Sequence, residues 1–246
     1  MLEVQGLFSG YGRLPILRDV SLTVAPGEIV LVLGPNGVGK TTLLKSIAGF
    51  IRPSAGSVHF EGIEISGHAP EEIAQGGLRF VFEGHRVFPE LTVADNIRLG
   101  GMLSMKGEFE SRSERVLNLF PMLRQKYRQP ARDLSGGQQQ MLALSQAFVA
   151  KPRILLCDEP SLGLAQAILP PIFELLSMWA SEGTGILIVE QYVDVALPIA
   201  TRGLVMENGM ISLQGSSLEL AGNPRIRQIY LGLDRHMAIH RRYLSL

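Results

Sequence analysis

The sequence predicts an α/β fold whose parallel sheet is interrupted by a helical insert. Three observations predict it. Short, almost wholly apolar runs at 28–33, 154–157 and 185–189 read as strands covered on both faces. A glycine-rich loop at 34–39 joins the first of these runs to a helical pattern, as strand–loop–helix units do. From about 88 to about 150 the texture becomes helical, with Met and Arg, before the apolar strands resume.

Taken in order, the chain opens in β structure. Residues 2–7 and 20–24 alternate or cluster apolar side chains, punctuated by Gly10, Gly12, Pro26 and Gly27. Residues 28–33 form a buried strand. Residues 40–50 form a helix, with Leu43, Leu44, Ile47 and Ala48 at helical spacing. Residues 57–60 and 78–82 read as further short strands. The insert follows, with 112–120 and the amphipathic run 139–149 as helices. Strands return at 154–157 and 185–189, with helices at 170–180 and 193–200. Residues 204–207 and 210–214 form a hairpin around Asn208-Gly209, a pair suited to a tight turn. There is no internal repeat and no low-complexity tract.

Composition narrows the function classes. A chain of 246 residues suits one large α/β domain or a core with an inserted subdomain. Lys and Arg number 23 and so do Asp and Glu, so no bulk charge draws the chain to nucleic acid. The hydrophobic fraction of 46% and mean hydropathy of +0.19 fit a filled core or a subunit that buries surface against a partner. The single Cys157 excludes a disulfide framework and suits a reducing compartment. Met1-Leu2-Glu3-Val4-Gln5 lacks the basic and apolar regions of a signal peptide, and no apolar run is long enough to span a bilayer.

Two motifs carry chemistry together. Gly34-Pro35-Asn36-Gly37-Val38-Gly39-Lys40-Thr41-Thr42 follows a strand and opens a helix, as a phosphate loop requires. Its N–H groups would curl around phosphate oxygens at a positive helix end. Lys40 would place a point charge between the β- and γ-phosphates, and the Thr41 hydroxyl would ligate Mg²⁺. The acidic pair Asp158-Glu159 ends an apolar strand, where open α/β sheets place their ligands. Asp158 would hold Mg²⁺ through water, and Glu159 would orient the attacking water and accept its proton. A lone Asp-Glu could simply cap a turn; its pairing with a phosphate loop points to catalysis.

A second glycine turn, Leu134-Ser135-Gly136-Gly137-Gln138, opens the helix at 139–149. Alone it reads equally well as a Ser N-cap or as an anion nest of N–H groups and the Ser135 hydroxyl. With the acidic pair downstream, the anion site is the better reading.

Together these motifs resemble the ATP-binding cassette ATPases, and the match runs from about residue 2 to about 232. The resemblance implies a P-loop NTPase (RecA-like) parallel-sheet core with an antiparallel β subdomain and an inserted helical signature subdomain. It implies a nucleotide-binding domain over 1–232, with its core in 1–87 and 151–232, the helical part at about 88–150, and a tail at 233–246. It further implies ATP and Mg²⁺. In such a family ATP lies between the phosphate loop of one cassette and the signature Leu134–Gln138 of a second ATPase subunit. By position, Tyr11 matches the aromatic that stacks on adenine; otherwise it reads as packing.

Finer matches resemble one branch, the second ATPase (LivF type) of branched-chain amino-acid importers. They include Phe82-Glu83-Gly84-His85-Arg86-Val87-Phe88-Pro89, Asp158-Glu159-Pro160-Ser161-Leu162-Gly163-Leu164-Ala165, Val189-Glu190-Gln191 and Tyr230-Leu231-Gly232. Urea-importer ATPases share much of this pattern, and Glu190-Gln191-Tyr192 leans toward them. The resemblance implies a peripheral protein on the cytoplasmic face of the plasma (inner) membrane. Its implied partners are two transmembrane permease subunits and a periplasmic or lipid-anchored substrate-binding protein, with no nucleic acid.

Three positions depart from the general cassette pattern. Glu83 stands where most cassettes have glutamine, adding negative charge beside the expected metal, unless it turns to solvent or to Arg86. Gln191 replaces the switch histidine and can donate a hydrogen bond but carries no proton, so it is expected to position rather than protonate. Ala165 replaces an aspartate that speaks across the cassette pair, so the two ATP sites need not be equal. Val87 and Phe88 would form part of a docking groove or pack into the local core. In the tail, His236 and His240 at helical spacing are weak grounds for a metal, and a frayed tail is the simpler reading. Soluble cassettes acting on nucleic acid usually carry long insertions or basic patches, which this chain lacks. A non-hydrolysing cassette is disfavoured by the presence of Lys40 and Glu159.

Overall fold

In a computed structural model, residues 1–84, 86–102, 106–191, 196–224 and 226 are described. Two sheets organise them. The first is antiparallel, with spatial order β2-β1-β4-β5, from β1 (Leu2–Tyr11), β2 (Leu14–Val24), β4 (Ala55–Phe60) and β5 (Ile63–Glu64). The second runs β10-β9-β3-β8-β7-β6, from β3 (Ile29–Leu33), β6 (Leu78–Val81), β7 (Ile154–Asp158), β8 (Gly185–Glu190), β9 (Arg202–Glu207) and β10 (Met210–Ser216). All of its pairings are parallel except β9 with β10.

The parallel strands divide the interior by side-chain parity. Val30, Val32, Leu156, Leu187 and Val189 face one core, shared with the inner side of the antiparallel sheet and with α1 (Lys40–Ile47). Ile29, Leu31, Leu33, Leu155, Cys157, Ile186 and Ile188 face the other. That second core is filled by α3 (Val93–Gly100), α4 (Lys106–Leu119), α5 (Pro121–Gln125), α6 (Gly136–Val149) and α7 (Leu169–Ser181). Within it Phe148 stacks on Trp179, with ring centroids 5.3 Å apart. Strands buried on both faces explain why the sequence shows continuous apolar runs rather than alternation.

Local chemistry sets the ends. The antiparallel strands extend further than expected, since β1 reaches Tyr11 and β2 begins at Leu14 across a two-residue turn. The first helix stops at Ile47 rather than 50, because Gly49 takes φ +80 and turns the chain. Asn208 and Gly209 both take positive φ and close the β9–β10 hairpin as expected. The short helix α2 (Pro70–Gln75), together with β5, α3, α5 and the closing helix α8 (Ser217–Gly222), adds to the elements expected from the sequence. Of the helix expected at 193–200, residues 193–195 lie outside the described set, and Leu197–Ile199 form a 3-10 turn. The expectations for His85, Tyr192, Tyr230-Leu231-Gly232 and the tail also lie outside the described residues.

Candidate active site

The C-terminal ends of β3, β7 and β8 lie side by side, in register. Leu33 pairs with Glu190, and Asp158 pairs with Val189. The loops that follow these strands therefore meet at one edge of the sheet, as in other open α/β sheets.

From β3 the chain enters the glycine loop. Gly39 holds φ +110 as the residue before α1, and no side chain caps that helix. The N–H groups of the first turn are thus directed at whatever occupies the loop. Pro35, Asn36 and Gly37 form its exposed rim, while Gly34, Gly39, Lys40 and Thr42 are buried and Val38 is partly so. Lys40 folds back over the loop: its Nζ donates to Gly34 O at 2.8 Å and to Pro35 O at 3.2 Å. It also pairs with Glu159 Oε1 at 3.6 Å. Isoleucine 16 and Leu17 of β2 pack close to Gly39, so the β1–β2 hairpin leans on the loop. Its tip presents Tyr11, 51% exposed.

The acidic pair arrives from β7. The Thr41 hydroxyl donates to Asp158 Oδ1 at 3.1 Å. Burial pushes the Asp158 carboxyl up to about 6, and the charges of Glu159 and Glu83 add to this, against the opposing Thr41 hydrogen bond. Glu159 sits at φ +46, a sparsely populated region for a non-glycine residue, with its N–H bonded to Val189 O at 2.9 Å. From β8, Gln191 Nε2 donates to both Glu159 oxygens, at 3.1 and 3.3 Å. Lys40, Thr41, Asp158, Glu159 and Gln191 are therefore one connected group. Glu83 is exposed near by, and its charge is felt at Asp158.

The second glycine turn is elsewhere. Leu134 is anchored in the second core, while Ser135 and Gly136 are exposed. Ser135 Oγ accepts from Gln138 N–H at 3.4 Å, and Gln138 Oε1 accepts from Ser135 N–H at 3.1 Å. This reciprocal cap uses the N–H groups of Ser135 and Gln138; Gly136 is exposed, whereas Gly137 is buried against Ile168. Lys126 donates to Gln138 Oε1 at 3.1 Å, placing a cation beside the turn. Helix α6 fills the second core and α1 the first, so the two glycine turns open helices on opposite faces of the parallel sheet.

A family model described as "ABC transporter" matches residues 17–162. The chain belongs to the ABC transporter family. It is an ATP-binding cassette ATPase, in agreement with the resemblance read from its motifs. It is 42% identical over 232 residues to the high-affinity branched-chain amino acid transport ATP-binding protein BraG of Pseudomonas aeruginosa, covering 94% of this chain and 100% of that one. It is 34% identical to the protein named probable branched-chain amino acid transport ATP-binding protein LivF of Archaeoglobus fulgidus, over 95% of this chain and 99% of that one. Among solved structures it is similar to a dimeric cassette in a post-hydrolysis state with ADP and phosphate. The TM-score there is 0.78 at 25% identity, covering 88% of this chain and 99% of that one.

Does this cassette suit a divalent cation? Among the described residues no cluster of three His, Cys, Asp or Glu side chains is placed to hold a metal by itself. The oxygens of Thr41 and Asp158 are hard donors, and they lie within hydrogen-bond distance of each other beside the phosphate loop; burial raises the Asp158 pKa, and the nearby charges of Glu159 and Glu83 add to it. That set fits Mg²⁺, which takes few protein ligands and completes its shell with phosphate and water.

Two buried polar residues were given no role from sequence. Glu190 is buried and bonded to the N–H groups of Ser161 and Gln191, with burial raising its pKa. Only its fully apolar approach strand could have hinted at an inward carboxylate. Asn96 is fully buried and ties residues 88–92 to α6, donating to Phe88 O, Leu91 O and Thr92 O and accepting from Phe88 N–H and Gln146 Nε2. Of the two candidates for docking, Val87 packs against the core, whereas Phe88 is 55% exposed. Beside them an open groove of about 430 Å³ runs between Phe80, Phe82, Arg86, Leu99 and Met102, with Arg86 stacked over the Phe82 ring.

Proposed function

We propose that this chain is the ATP-hydrolysing subunit of an importer for branched-chain or other hydrophobic amino acids. One observation carries the mechanistic part: Lys40, Thr41, Asp158, Glu159 and Gln191 converge at one sheet edge, while the signature turn opens on the far core. A lone chain thus offers half of a site. A second cassette would bring its own Leu134–Gln138 equivalent onto the ATP held here. The dimeric solved cassette and the full-length similarity to BraG support this reading.

In hydrolysis, phosphate oxygens would draw Lys40 away from Gly34 O, Pro35 O and Glu159. That exchange frees the Glu159 carboxylate to accept a proton from the attacking water. Gln191 would keep both Glu159 oxygens oriented, supplying geometry and no proton. The backbone N–H groups of residues 36–41 would hold the phosphates and Tyr11 would stack on adenine. Thr41 and Asp158 would hold Mg²⁺, with Glu83 adding field or a water-mediated contact. Bound there, Mg²⁺ would supply positive charge against the negative charge that builds on the phosphates.

None of the described helices is long and apolar enough to cross a membrane. In keeping with its likeness to transporter ATP-binding subunits, the chain would act from the cytoplasmic face of the plasma membrane, docked by its groove beside Phe88 to two permease subunits that receive substrate from an exported binding protein. Residues 88–150 would form the helical subdomain of one domain spanning 1–232. The test is transport. Vesicles carrying the assembled complex should accumulate labelled leucine, isoleucine or valine with ATP inside, and Glu159→Gln should abolish it. Stimulation of ATP turnover by urea or a short amide, and not by these amino acids, would assign the chain to the related importers instead.

A further inference from the structure

We propose that Glu190 is a positioning residue for hydrolysis: its buried carboxylate locks the Gln191 loop to the loop after the acidic pair, and so fixes where Glu159 points. The proposal rests on Glu159 and Gln191 having the roles given above.

Glu190 ends β8, the strand between β3 and β7. Its neighbours in register are Leu33, one residue before the glycine loop, and the Asp158–Val189 pair. The side chain is 1% exposed. One oxygen accepts the N–H of Ser161 at 2.9 Å, and the other accepts the N–H of Gln191 at 3.2 Å. Gln191 in turn grips both oxygens of Glu159. A single carboxylate thus sets the backbone of two loops, and through Gln191 the orientation of the expected general base.

The arrangement opposes stability, which is why it points to function. A carboxylate buried this deeply is costly, and the charge of Glu159 adds to the cost. The two N–H groups could be left to water in a looser loop. The loop from Ser161 also continues into the 3-10 turn Gln166–Ile168, and Ile168 packs on Gly137 in the signature turn. Glu190 therefore lies on a continuous chain of contacts from the hydrolytic edge to the signature of the same cassette.

The test uses the full chain assembled with the membrane subunits that copurify with it, and compares Glu190→Gln, Glu190→Ala and Glu159→Gln. Glutamine keeps the shape and one acceptor; alanine keeps neither. We expect kcat to fall about tenfold in E190Q and about a hundredfold in E190A, with the KM for ATP within about twofold. The thermal midpoint of E190Q should equal or exceed that of the parent. A merely structural role would instead lower kcat in step with stability. The proposal is overturned if both Glu190 variants keep parental kcat, or if their losses follow folded fraction or KM alone. If E190A does not fold, E190Q decides alone. An E159Q variant with parental turnover would overturn the general-base reading and the proposal with it. An inactive E159Q beside active Glu190 variants would sink the proposal only.

Discussion

At the residue scale, the site is built from charges that compensate one another. Lys40 is buried against two carbonyls and Glu159, so its positive charge is neutralised within the chain. Burial makes both Asp158 and Glu190 hold their protons more tightly than free carboxylic acids, against the hydrogen bonds each accepts. For such groups the folded chain binds a proton more readily than the unfolded chain. Their contribution to stability is complete below the ordinary carboxylate range and is lost as pH rises through the raised values. Glu190→Gln removes one of them. Its thermal midpoint should gain on that of the parent as pH rises from about 5 to about 8, and a constant difference would contradict the burial argument. Gln191→Ala releases Glu159, and its turnover should fall about ten- to a hundredfold with ATP affinity kept. Unaltered turnover would show that Gln191 does not hold the base.

The residues that chemistry fixes by spacing were legible in the sequence. The phosphate loop, Thr41 and the Asp158-Glu159 pair follow from motif and strand context, because a phosphate must be met by N–H groups and a cation. The inward burial of Glu190 was not legible in the sequence. Whether a carboxylate after an apolar strand points inward depends on sheet register and on the loops beside it, which are set by long-range contacts.

At the element scale, capping and parity decide the outcome. Wholly apolar strands announced the parallel sheet, but not that alternate side chains feed separate cores. The ends of the first helix and of β1 were missed because a single glycine φ and strand pairing fixed them, rather than apolar periodicity. Within the insert, Asn96 joins the 88–92 segment to α6 through Gln146. Asn96→Ala would leave buried groups of that segment without partners and should cost about 2–3 kcal/mol in a urea titration. A loss under about 0.5 kcal/mol, the level of an ordinary surface change, would show that water replaces the side chain. Phe148→Ala would open a cavity beside Trp179 and should cost about 3–5 kcal/mol.

At the scale of the whole molecule, the placement of the two glycine turns matters most. They open helices that fill opposite cores, so the sheet separates them within one chain. The phosphate loop and acidic pair are gathered at one edge, and the signature turn opens on the other core, where the proposed reading has it serve the ATP of a second cassette. The most direct test is ATP turnover per chain, with Glu159→Gln as the blank, as a function of the concentration of cassette, either this chain or the second cassette that copurifies with it. The account predicts that turnover per chain rises with that concentration and saturates as pairs form. Turnover per chain that stays constant over a hundredfold dilution, with full activity in the monomer, would contradict it.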